Sequence, residues 1–255
     1  MRLINLILLL LCPLLCKGQL MGFQLPNGKN MVEIPFTYQK NLILIKVVVN
    51  ETFPLQFIFD TGSENSLLLQ SAYADLLNIS YHQKIRLLGS DRSTELSAYL
   101  AKNVKLDLPN IQGDDLDLLV LEEDYFDFKH HVGIDVAGIL GMDYFKTLII
   151  KIDYKRQVLT IYKSKAFKKP SRKYKRIPID IHRGKPYLKV QSQLSQDAYS
   201  DLNLLVDSGA SLALLLMNNS DENISLPTKW IPGTCLLYTS PSPRDLSTSR
   251  MPSSA

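Results

Sequence analysis

One thirteen-residue pattern occurs twice in this chain. Residues 57–69 read FIFDTGSENSLLL, and residues 204–216 read LLVDSGASLALLL. Each copy has three apolar residues, an aspartate, a hydroxyl residue, a glycine, a small residue, three mixed positions and three leucines. The flanks repeat as well, since residues 44–49 (LIKVVV) have a counterpart in residues 186–191 (PYLKVQ). Two copies are too few for a solenoid. They imply two similar halves, each ending a buried strand on an acidic residue. A lone carboxylate there is costly unless it is hydrogen-bonded or shares its charge state with a partner. Two such loops related by a pseudo-twofold axis would place Asp60 opposite Asp207.

The rest of the pattern is β. Residues 42–49 (LILIKVVV) and 55–59 (LQFIF) are β-branched and aromatic runs, with breaks at Asn and Pro. Residues 84–88 and 94–101 predict a hairpin around Gly89, Ser90, Asp91 and Arg92, a good turn composition. Residues 104–108 and 116–121 read as strands, and 148–152 with 157–162 as a second hairpin. Residues 71–77 predict a short helix. Short strands at regular spacing predict an all-β sandwich or barrel.

The chain has 255 residues and is 45% hydrophobic, enough for a sizeable core. Its ends are set apart. Residues 1–18 read as a secretory signal peptide: Arg2, an apolar run, Pro13, then small residues around the cleavage point. The run is too short to span a membrane, which takes about 20 residues. The protein is thus expected to be exported, to a bacterial periplasm, envelope or medium, with no membrane span. A lipoprotein form through Cys16 is the alternative. Residues 235–255 have no periodicity, and CLLYTSPSPRD within them matches a translated transposon-type sequencing adaptor, so the natural sequence is expected to stop near Thr234. The expected organisation is a first lobe over 19–162, a basic linker over 163–176, a partial second lobe over 177–234 and a non-native tail.

Four of the 29 basic residues (Arg2, Lys17, Arg244, Arg250) and one of the 25 acidic ones (Asp245) lie in those ends. The remainder is near neutral, and the formal charge of +4 is no argument for nucleic acid. All three cysteines, Cys12, Cys16 and Cys235, lie there too. The core has no disulfide, no thiolate metal site and no cysteine nucleophile. His82, His130, His131 and His182 lack metal-ligand spacing, and no metal or cofactor is expected.

Two carboxylates about 3 Å apart, at an effective dielectric of about 20, repel by roughly 5 kcal/mol, or about four pK units. They hold one proton between them. One member then serves as base toward a water and the other as acid toward a carbonyl oxygen. At this point the loops resemble the active-site loops of pepsin-like and retropepsin-like aspartic proteases, whose paired aspartates are the best-known example of such coupling. Residues 137–142 (AGILGM) are similar to the apolar-apolar-Gly strand that crosses behind the catalytic loop in that family.

The resemblance covers about residues 31–217. It implies a bilobal acid-protease barrel with an incomplete second lobe, because residues 217–234 hold neither a second flap nor a second crossing strand. It implies Asp60 and Asp207 as the catalytic pair. Thr61 and Ser208 become the cross-loop hydroxyls, Gly62 and Gly209 the close-approach glycines, and Ser63 a hydroxyl donor to Asp60. The turn Gly89, Ser90, Asp91 and Arg92 becomes the substrate-covering flap. Ala210 lacks the hydroxyl of Ser63, which implies activity at milder pH than in strongly acid members. The substrate implied is a peptide or protein, and related exported proteins often continue into a PDZ-type domain. The other reading is a protease-fold binding or inhibitor-like module without catalysis.

Overall fold

A strand with apolar side chains at consecutive positions is stable only where both of its faces are covered. Residues 42–49 are such a strand, and a core lies on each side of it. Ile43, Ile45, Val47 and Val49 enter one apolar cluster with Phe57, Phe59 and Leu106. Leu42 and Leu44 enter another with Ile58, Leu121 and Ile139. The computed structural model that shows this describes residues 22–88, 95–193 and 199–216. The leader, the flap turn Gly89, Ser90, Asp91 and Arg92, and everything after Leu216 lie outside the described residues.

In chain order the first half contains β1 (Met31–Pro35), β2 (Thr37–Gln39), β3 (Leu42–Val49), β4 (Pro54–Phe59), β5 (Leu67–Leu68) and helix α1 (Ser71–Leu76). Then come β6 (Tyr81–Leu88), β7 (Glu95–Leu108), β8 (Ile111–Leu121), helix α2 (Phe128–Val132), β9 (Gly138–Leu140), β10 (Leu148–Asp153) and β11 (Val158–Lys163). The second half supplies β12 (Asp180–His182), β13 (Lys185–Gln193) and β14 (Tyr199–Leu205). The fold is all-β, with two short α-helices among the described residues.

Strands β3, β4, β9, β5, β8 and β7 neighbour one another in that order. β7 then returns to β3 through Val48↔Asp107 and Val49↔Leu106 and closes a six-stranded barrel. Closure removes the exposed edges that would otherwise template aggregation. β1, β11 and β10 form a separate antiparallel sheet, and β12, β13 and β14 another. Among the described residues the second half contributes that last sheet and the loop that follows it, with Leu202 and Ser200 of the sheet buried and much of the rest exposed.

Three expected elements differ clearly in extent; β6 begins at Tyr81 and not at Lys84. The strand ending at Ala101 and the one starting at Val104 are a single strand, β7, with register shifts between Ala101, Val104 and Leu106. Asn103, at φ 56°, marks the irregularity. The sequence shows a break where the chain makes a bulge and continues. β8 starts at Ile111, earlier than its apolar run suggests, because Ile111 pairs with Leu108 across a turn holding Asn110 at φ 69°.

The crossing strand is in place. β9 lies parallel to β4 (Phe57↔Gly138, Ile58↔Ile139, Phe59↔Leu140) and antiparallel to β5. It requires glycine at both ends. A Cβ on Gly138 would meet the Phe57 ring and stand 2.7 Å from the Leu67 carbonyl oxygen. One on Gly141 would stand 2.5 Å from the carbonyl oxygen of Asn65. Phe145 then packs edge-on against Phe59, ring centroids 5.6 Å apart, and fixes the strand end that precedes Asp60.

Candidate active site

β4 ends at Phe59, and the next residue, Asp60, is buried at 8% exposure. β14 ends at Leu205, two residues before Asp207. The fold brings these aspartates together, each carboxyl lying against the glycine of the other loop. Each is also held by its own loop. The N–H of Gly62 donates to Asp60 Oδ1 at 2.7 Å. The N–H of Gly209 donates to Asp207 Oδ1 at 2.8 Å, and that of Ala210 to the same oxygen at 3.1 Å.

The hydroxyls reach across. Thr61 Oγ1 donates to the Val206 carbonyl at 2.6 Å and accepts from the Ser208 N–H at 3.0 Å. Ser208 Oγ donates to the Phe59 carbonyl at 2.9 Å and accepts from the Thr61 N–H at 3.0 Å. Four bonds thus tie two loops into one pseudo-symmetric unit. The glycines are reciprocal as well. A Cβ on Gly62 would stand 2.7 Å from both oxygens of Asp207, and one on Gly209 would stand 2.5 Å from both oxygens of Asp60. Only glycine lets each loop pass this close to the other loop's carboxyl.

Ser63 departs from expectation. Its hydroxyl donates to the Asn65 carbonyl at 2.8 Å and not to the Asp60 carboxylate. An acceptor two residues ahead is within local reach, and the tight turn favours that bond. The backbone N–H of Ser63 donates to the Asp60 main-chain carbonyl at 3.3 Å and also acts on the carboxyl. The Ala210 N–H acts on the Asp207 carboxyl, so the missing hydroxyl does not distinguish the loops.

Burial sets the electrostatics of Asp60. Burial first, then the negative charge of Asp207 and their shared hydrogen bond, holds the Asp60 carboxyl well above the ordinary aspartate value. Backbone N–H groups of Gly62 and Ser63 pull the other way and do not offset this. An upward push toward milder pH is therefore present, but its source is desolvation and the neighbouring charge.

Sequence reasoning missed the support behind the first loop. Ser66, fully buried, donates its N–H to Asp143 Oδ2 at 2.9 Å and its hydroxyl to Asp143 Oδ1 at 2.7 Å. The same hydroxyl accepts from the Gly141 N–H at 3.0 Å. The Asp60 N–H donates to the Leu140 carbonyl at 3.0 Å, and the Met142 N–H to the Ser63 carbonyl at 3.0 Å. Loop and crossing strand are thereby sewn together. Burial pushes the Asp143 carboxyl up, and the Ser66 bonds oppose it. No sequence motif joins Ser66 to Asp143, 77 positions further on.

Two hairpin tips also cross between the halves. Asn41, at the β2–β3 turn, donates from Nδ2 to the Ser211 carbonyl at 3.1 Å. Arg183, at the β12–β13 turn, pairs with Glu64 at 2.9 Å. Each tip touches the opposite active-site loop. The Arg183 side chain is 68% exposed, so that pair stabilises by at most about 1 kcal/mol. The buried hydroxyl bonds matter more. Thr61→Val is expected to cost about 1–3 kcal/mol for each of the two groups it strands, the Val206 carbonyl and the Ser208 N–H. Denaturant unfolding measures this, and Thr61→Ser should restore most of it.

Residues 45–144 match a family model described as aspartyl protease, a segment that contains the Asp60 loop and the crossing strand. The match spans less than half of the chain, which over this segment is similar to that family. The family match stops before Asp207, so the second loop rests on the repeat and on the geometry above. A solved structure similar to the chain is a retropepsin-like aspartic protease from Rickettsia conorii. It is 17% identical, the match covers 51% of this chain and 89% of that one, and the TM-score is 0.35. Among curated protein sequences none matches.

Proposed function

We propose that the protein is an aspartic endopeptidase, with Asp60 and Asp207 as the catalytic pair. The observation that carries this is the pairing of two aspartate loops that support each other reciprocally, each glycine lying against the other loop's carboxyl. The ionised member takes a proton from water as the water oxygen bonds to the peptide carbonyl carbon. The protonated member gives its proton to the carbonyl oxygen, and a gem-diol forms. The diol collapses by returning a proton to one carboxylate while the other, now protonated, protonates the amide nitrogen. The C–N bond then breaks, leaving a carboxylic acid, an amine and a pair that again holds one proton. The pair titrates as a unit, so neither role belongs permanently to one residue.

The substrate class is an extended peptide or protein segment. Cleavage of casein and of a quenched peptide library, with and without pepstatin, tests the reading. Cleavage suppressed by pepstatin is expected. Cleavage indifferent to pepstatin but abolished by a serine- or metalloprotease inhibitor would contradict it.

A further inference from the structure

Eight of the fourteen residues from 163 to 176 are Lys or Arg, and the fold leaves this run outside. After β11 the chain makes one 3-10 turn (Ser164–Ala166), then continues without helix or strand to β12. Every residue from 168 to 182 is exposed. Elsewhere, Lys84, Lys105, Arg156, Arg183 and Lys189 each have a carboxylate partner. Among the described residues none pairs with Lys163, Lys165, Lys168, Lys169, Arg172, Lys173, Lys175 or Arg176. Asp180, close in sequence, is taken by Lys189 at 3.0 Å. So dense a run of like charge with no internal counter-charge is matched by an external polyanion.

The neighbouring side chains say which kind. Single-stranded nucleic acid is held on aromatic platforms as well as charge. Phe167 cannot serve, because it packs edge-on against Tyr162 with centroids 5.3 Å apart. Tyr174 is the one exposed aromatic residue of the run, at 71%. The residues that follow are aliphatic: Ile177, Ile179 and Ile181 are 55%, 51% and 63% exposed. Cations beside exposed aliphatic side chains suit the boundary between lipid headgroups and acyl chains.

We propose that residues 163–181 form a docking strap for an anionic phospholipid surface. Lys and Arg meet headgroup charge, and Tyr174 and Ile177 cover apolar area at the boundary. β12 follows directly, and Arg183 at its turn pairs with Glu64 of the first active-site loop, so docking holds the Asp60–Asp207 cleft beside the lipid.

The experiment is cosedimentation of the full chain with vesicles containing about 30% phosphatidylglycerol, against pure phosphatidylcholine. Binding at least about tenfold stronger to the anionic vesicles, lost at about 0.5 M salt, is expected. The variant Lys168→Gln/Lys169→Gln/Arg172→Gln/Lys173→Gln should lose at least about tenfold. All four residues are exposed, so its circular dichroism should match the parent. Equal retention on both vesicle types, or unchanged binding of the variant, would overturn the proposal. So would displacement from anionic vesicles by an equimolar single-stranded RNA oligonucleotide. Vesicle binding is read without any peptide substrate, so its failure leaves the protease reading untouched.

Discussion

Replacing Asp60 by asparagine is expected to lower kcat/KM for peptide cleavage by about 10³-fold or more, with no loss of folding stability at neutral pH. The size follows from removing one partner of an acid–base pair, where each proton transfer contributes about 10²–10⁴-fold. Asparagine keeps the shape and still accepts from the Gly62 N–H. It cannot take up and release the shared proton. The stability half follows from linkage. The folded state holds the Asp60 carboxyl well above its unfolded value, mainly through burial. Its favourable contribution is complete below the unfolded value and is lost as pH rises through the folded one. Asparagine never ionises, so that decline disappears in the variant. Peptide kinetics and urea unfolding at several pH values check both halves. A variant that unfolds more easily at neutral pH would mean that Asp60 is a structural cap.

Gly209→Ala is expected to reduce activity by about 10²-fold while every titrating group remains. The added Cβ would stand 2.5 Å from both carboxyl oxygens of Asp60. Asp60 has nowhere to retreat, because the Gly62 N–H and Asp207 hold its other sides and Phe59 fixes the strand end behind it. The overlap is relieved by a shift of one loop against the other. A shift of about 1 Å in a reacting group is enough for that loss. Overpacking of this kind costs about 1–3 kcal/mol. Gly28→Ala provides the contrast, since nothing lies within 4 Å of its Cβ position, although its φ of 79° makes it strained locally. Equal activity losses in both variants would separate the effect from Asp60.

What the sequence made legible was whatever it repeats. The Asp-[Thr/Ser]-Gly loops appear twice in matching apolar frames, and both ended where the repeat placed them. Gly138 and Gly141 were legible through the resemblance of residues 137–142 to the family's crossing strand, and the structure gives the reason: a strand this close to Phe57 and Asn65 admits no side chain. What depended on a side-chain choice between two acceptors was not legible. Ser63 could have bonded its neighbour's carboxylate or the Asn65 carbonyl, and only the turn geometry decides. Nor was the Ser66–Asp143 pair, 77 positions apart with no motif joining it. The extent of β7 was hidden for a related reason: Asn103 reads as a breaker, and the neighbouring strands carry the chain through it.

The central claim is that Asp60 and Asp207 share one proton. Carboxyl carbon NMR of aspartate-labelled protein, titrated through acid and neutral pH, tests it most directly. The Asp60 carboxyl is expected to titrate well above the ordinary aspartate value of about 3.9. In Asp207→Asn the remaining Asp60 step should fall but stay raised, because burial is the largest cause of its shift and the lost charge the next. An Asp60 titration near the ordinary value, unchanged when Asp207 is replaced, would contradict the account.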